Sequence, residues 1–116
     1  MPKIDRKLIS RKSEVINDLK KIIKAENVIY HEDELRPFET DGLSAYKQKP
    51  LVVVFPENTK EVSRILSYCN KNRIKVVPRG AGTGLSGGAL PIADSLLLCL
   101  GKFNKILNVD YKNRCV

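Results

Sequence analysis

Residues 51 to 78 constrain the fold more than any other stretch of the chain. "LVVVFP" is a β-branched run closed by proline. "NTKEVSRILSYCNKN" behind it places Val62, Ile65, Leu66 and Cys69 on one helical face, with Asn58 or Thr59 available as the cap. "IKVVP" then reads as a second short, buried strand. Strand, helix, strand in that order predicts two parallel strands paired through a right-handed crossover. Further along, "SLLLCL" predicts another strand, and "NKILNVD" a short strand or turn leading to "NRCV". The chain ends at what reads as the start of a further strand with no polar closing element, which predicts a piece of a larger protein.

Upstream, "RKSEVINDLKKIIKA" sets Val15, Ile16, Leu19, Ile22 and Ile23 at offsets of three and four, a single apolar stripe on a helix, and Ser13 is the expected cap. After Asn27 the periodicity breaks. "VIYHEDELRPFETDGLSAYKQKP" is punctuated by Pro37, Gly42 and Pro50 and is expected to cross the surface as an irregular connection. At 116 residues and 42% hydrophobic the chain amounts to one small domain able to bury a core.

The formal net charge of +8 suits a polyanionic partner, but much of the excess lies before residue 25, between apolar residues at helical spacing. A solvated helix face explains that pattern, and neither aromatic interleaving nor a zinc-finger or RNA-binding signature accompanies it. No nucleic-acid partner is expected. Cys69, Cys99 and Cys115 are widely separated, with no CxxC and a single histidine, His31, so no metal site is expected and the thiols read as reduced. There is no apolar leader, and no apolar run approaches the roughly 20 residues of a membrane span. A soluble, cytoplasmic protein is the expectation.

The second strand runs directly into "VVPRGAGTGLSGGALP". Gly80, Gly82, Gly84, Gly87 and Gly88 fall within nine residues, with Thr83 and Ser86 as hydroxyl donors and Arg79 as a cation at the entrance. Clustered glycines let backbone amides turn inward and approach a ligand, and inward amides bind phosphate. A plain glycine-rich turn is the alternative. The loop lacks the GK[ST] ending of a Walker A motif. "GTGLSG" matches GxGxxG, but Pro91 and the next strand follow where a dinucleotide-binding helix would have to start.

The run "PLVVVFPENTKEVSRILSYCNKNRIKVVPRGAGTGLSGGALP" closely resembles the start of the flavin-binding domain of FAD-linked oxidases of the vanillyl-alcohol oxidase superfamily. Within it, the D-lactate dehydrogenase and glycolate oxidase D-subunit group looks nearest. The likeness covers roughly residues 36–116 and includes the aspartate-containing lead-in "FETDGLSAYKQKP". It implies an α+β, PCMH-type FAD-binding subdomain, a strand-helix-strand unit with further short strands, preceded by an N-terminal helix. Residues 1–46 would be the helix and lead-in, and 47–116 the first part of the FAD domain. By the same resemblance Arg79, Gly80, Ala81, Gly82, Thr83, Gly84 and Leu85 would line the FAD diphosphate and nearby flavin. Gly87 and Gly88 would let the chain pass close to the cofactor, and Pro78 would fix the strand exit. Arg79 would either touch phosphate or pair with a carboxylate.

Some members of the superfamily tether flavin through a histidine in this loop. Thr83 stands at that position here, so FAD is expected to be held non-covalently, and His31 to be an exposed loop residue. The second half of the FAD domain and the substrate domain of such enzymes have no counterpart in this sequence, and no catalytic residue is expected on it. The resemblance therefore implies the N-terminal portion of an FAD-dependent oxidoreductase acting on a D-2-hydroxy acid such as glycolate or D-lactate. It would be inactive by itself and partnered by the missing half or by other oxidase subunits. A phosphate-ligand or nucleic-acid binding module without redox activity is the alternative.

Overall fold

A computed structural model describes residues 3–116. Two short helices, α1 (Arg6–Ser10) and α2 (Lys12–Ile22), open the chain. Asp5 caps α1 by accepting the Leu8 N–H at 3.1 Å. Ser13 is not a cap, because helix is already nucleated upstream: α2 starts after a one-residue break at Arg11, whose guanidinium pairs with Glu14 at 3.0 Å. The apolar stripe lies as expected, with Val15, Ile16, Leu19 and Ile23 buried.

The segment after Asn27 is more structured than its turn-rich composition suggests. β1 (Val28–Ile29) and α3 (Glu32–Leu35) precede a 3-10 turn at Arg36–Phe38. Val28, Leu35 and Asp41 are buried, so the segment is part of the packing and not a surface connection only. Two residues of strand are too few to show an alternation, and the pairing partner supplies the missing specification.

β2 (Val52–Val54), α4 (Thr59–Lys71), β3 (Lys75–Arg79) and β4 (Ser95–Cys99) follow. Asn58 Oδ1 accepts the Glu61 N–H at 2.9 Å and starts α4. Ile65 and Cys69 are buried and Val62 packs on the core, whereas Leu66, expected on the same face, is 45% exposed.

The sheet order is β1-β2-β4-β3. β2 and β3 are therefore both parallel to β4 and not paired with each other, because β4 inserts between them. β1 runs antiparallel to β2, with Val28 opposite Val54 and Ile29 opposite Val53. β4 gains two partners this way and is buried along its whole length.

Side chains alternate across the sheet with period two. Val52, Val54, Leu96 and Leu98 face the main core with Val15, Leu19, Ile65 and Cys69. Val53, Leu97 and Cys99 face the opposite side, where Leu35 covers them and Phe38, Phe55 and Val77 pack partly against them. Truncating a fully buried leucine such as Leu97 to alanine would cost ~2–5 kcal/mol.

Lys75 and Asp94 tie the start of α1 to the sheet. Asp94 Oδ2 accepts from Lys75 Nζ and from the Asp5 N–H, each at 2.7 Å.

Beyond β4 no strand forms over "NKILNVD". The hydrogen bonds there are local, between Asp110 and Cys115 across a tight turn that Asp110 Oδ1 caps through the Asn113 N–H. No helix among the described residues is long and apolar enough to cross a membrane.

Candidate functional site

The glycine loop is itself the crossover between β3 and β4. These two strands are neighbours and parallel, so the chain must return from the C-terminal end of one to the N-terminal end of the other. Residues 80–94 do this without a helix. The loop thus starts at the carboxyl ends of the parallel strands, the usual location of ligand sites in such sheets.

β3 is the edge strand, so Pro78 can sit in it opposite Leu98 without leaving an internal partner unbonded. Arg79 ends the strand opposite Cys99 and is only 7% exposed. Its Nη2 donates to the Ala89 carbonyl at 2.7 Å, and its buried Nε has no partner. No carboxylate lies at ion-pair distance from it among the described residues, so the pairing with a carboxylate expected as one alternative is absent here.

Among the described residues, no backbone N–H from Gly80 to Gly88 donates to an acceptor within the chain. Gly80, Ala81, Thr83, Gly84, Leu85, Ser86 and Gly88 are exposed. Gly82 and Gly87 have φ values of +72° and +74°. At Gly82 it is the positive φ that requires glycine, since a Cβ there would only touch the Arg79 side chain, 3.4 Å from Cδ. The ten residues singled out from the sequence, Pro78 to Leu85 with Gly87 and Gly88, are therefore brought together as one strand end and loop.

The sequence reading did not assign a role to Gly42, which belongs to the same region. A Cβ on it would meet the carbonyl oxygens of Thr83 at 2.6 Å and Gly84 at 2.7 Å, closer than any other atoms. Gly42 thus packs directly on the Thr83–Gly84 stretch of the loop backbone. Free amides in such a glycine-rich turn attract anions. The "TDG" turn signature was the available signal for this neighbour.

This chemistry fits a phosphate-bearing ligand: unbonded amides, a partly unsatisfied buried guanidinium, and glycines at Gly80, Gly84 and Gly88 where a Cβ would meet nothing within 4 Å. It does not fit a nucleophile. Cys99, beside Arg79, is buried; burial pushes its thiol up to about 11, with the Arg79 charge opposing, so it is a thiol and not a thiolate at neutral pH. His31 is exposed at the start of α3, its ring tilted against that of Tyr30 with centroids 4.4 Å apart, and belongs to the N-terminal segment.

Known proteins agree with this arrangement. The chain matches the FAD binding domain family over residues 50–116. It is 40% identical over 110 residues to glycolate oxidase subunit GlcD of Escherichia coli (strain K12), covering 95% of this chain and 21% of that protein. It is 39% identical over 98 residues to the mitochondrial D-2-hydroxyglutarate dehydrogenase of Arabidopsis thaliana, covering 84% and 18%. The chain thus spans about a fifth of the length of these curated relatives. Its fold matches p-cresol methylhydroxylase with substrate bound, at a TM-score of 0.75 and 19% identity over 94% of this chain and 21% of that one. The chain belongs to the FAD binding domain family, an α+β unit of the PCMH type whose cofactor is FAD.

Proposed function

We propose that this chain is the first part of an FAD-dependent oxidoreductase that oxidises a D-2-hydroxy acid of the glycolate or D-lactate type. On this reading Pro78–Leu85, Gly87 and Gly88 hold the FAD diphosphate. The observation that carries it is the run of backbone N–H groups from Gly80 to Gly88 that have no acceptor within the chain, at the carboxyl end of β3. The names of the similar proteins support the substrate class, since glycolate and 2-hydroxyglutarate are both 2-hydroxy acids.

Bound FAD supplies the hydride acceptor. The chain's part is to bind and orient: amides and Arg79 face the diphosphate, and Thr83, where other members of the superfamily carry a flavin-linked histidine, leaves the cofactor non-covalent. Substrate-binding and proton-transfer groups come from chain outside residues 1–116, or from a partner subunit, so these residues alone bind without turning over.

Titration of the purified chain with FAD, with riboflavin as the control lacking the diphosphate, tests this. Saturable binding of FAD and not of riboflavin supports the cradle, and acid precipitation should release all the flavin. Equal binding of both ligands, or a steep loss of FAD affinity with added salt as for a general polyanion binder, counts against it.

A further inference from the structure

We propose that the Asp41–Gly42 turn is a positioning element of the loop, a backstop that fixes where the backbone carrying the Gly84 and Leu85 amides sits. The proposal rests on the FAD-diphosphate reading of the loop and adds to it residues outside the glycine motif.

Glycines alone do not orient the loop. Gly80, Gly84 and Gly88 have open space where a Cβ would be, so local sterics leave the peptide planes around them free to rotate. Something must hold the Thr83–Gly84 backbone in place if its amides are to meet a ligand in a fixed arrangement. Gly42 is the group there. Its missing Cβ would sit 2.6 and 2.7 Å from the two oxygens and 2.8 Å from the Thr83 carbonyl carbon, well inside van der Waals contact. Only a residue without a side chain lets the backbone come this near, and a shift of the Thr83–Gly84 segment would break this packing.

Asp41 delivers Gly42 to that place. It is 7% exposed, and its Oδ1 accepts the Leu43 N–H at 2.8 Å, closing an Asx turn around Gly42. Its other oxygen, Oδ2, is buried without a partner. The turn therefore needs the acceptor at Oδ1 and not the charge, a distinction that asparagine tests.

Amide NMR of the 116-residue chain and its variants without ligand, followed by FAD titration, is the experiment. Gly42→Ala should move the Gly84 and Leu85 amide resonances more than those of Val53 or Leu97, and weaken FAD by about tenfold or more, as expected for misdirected hydrogen bonds to a charged ligand. Asp41→Ala should do the same and Asp41→Asn should restore both readouts, which also decides the matter if Gly42→Ala fails to fold. Unmoved Gly84 and Leu85 resonances in Gly42→Ala and Asp41→Ala would overturn the proposal. So would an Asp41→Asn variant as impaired as Asp41→Ala. If the parent chain binds no FAD, the function proposed above fails, while the ligand-free resonances still support or overturn the backstop.

Discussion

Arg79 donates from Nη2 to the carbonyl of Ala89, 2.7 Å away and ten residues later, so one buried side chain clips the two ends of the glycine loop together. Between residues 80 and 90 the other backbone hydrogen bond is the turn bond from Leu90 N–H to the Gly87 carbonyl. A guanidinium suits this position because it can serve the Ala89 carbonyl from one nitrogen while keeping further donors on the same planar fork. Arg79→Ala should therefore destabilise the chain by ~1–3 kcal/mol through the lost charged hydrogen bond and packing. It should also open the loop to limited proteolysis between residues 80 and 90. Urea unfolding and mass mapping of early cleavage sites check this, and a loop as resistant as the parent's would show that Arg79 does not clip it.

Gly82 and Gly80 should respond in opposite ways. A non-glycine residue at φ +72° pays about 1–2 kcal/mol for the left-handed backbone, more when β-branched, while its Cβ would make only ordinary contact with Arg79. Gly82→Val is expected to abolish FAD binding and lower stability by at least ~1 kcal/mol. Gly80→Ala meets no atom within 4 Å and should fold within ~0.5 kcal/mol of the parent. Parallel FAD titrations and urea melts make the comparison; undiminished FAD affinity in Gly82→Val would refute the loop assignment.

Asp94 makes stability depend on acid pH. Burial pushes its carboxyl up, but the hydrogen bonds from Lys75 and the Asp5 N–H, with the Lys75 charge, outweigh this and hold it below the usual value. A carboxyl depressed in the folded state adds stability above its unfolded value of about 3.9, and that stability is lost as pH falls through the folded value. The chain should thus lose stability below about pH 4, and Asp94→Asn should be less stable than the parent at pH 7 with a flatter acid limb. Unfolding midpoints between pH 2 and 7 test it, and an unchanged acid limb in Asp94→Asn would assign the effect to other carboxylates.

The three thiols should separate by accessibility. Burial raises Cys69 and Cys99 to about 11, whereas Cys115 is exposed. At pH 8 a disulfide reagent should modify one thiol per folded chain rapidly, at Cys115, and all three in denaturant. Fast reaction of Cys99 in the folded chain would mean that the sheet behind the loop opens readily.

Much of the fold was legible from residues 51–99. Proline-bounded β-branched runs and the spacing of Ile65 and Cys69 are local signals, and the Asn58 cap acts within one turn of chain. Leu66 departed from the pattern because a helical stripe is wider than the surface available beneath α4. Ser13 failed as a cap because α1, hidden in a lysine-rich stretch, already supplies the preceding turn. β1 was missed because two residues carry no period.

By itself, the sequence determined which segments are strands and helices after Pro50, where the glycine loop lies, and that its chemistry suits phosphate. These follow from side-chain branching, spacing and the absence of Cβ atoms, all properties of neighbouring residues. Only the tertiary structure decided that β4 inserts between β2 and β3, that Arg79 turns back to Ala89, and that Gly42 abuts Thr83 and Gly84. Each joins groups that no local preference brings together, since strand order and loop direction depend on which faces can be buried at once.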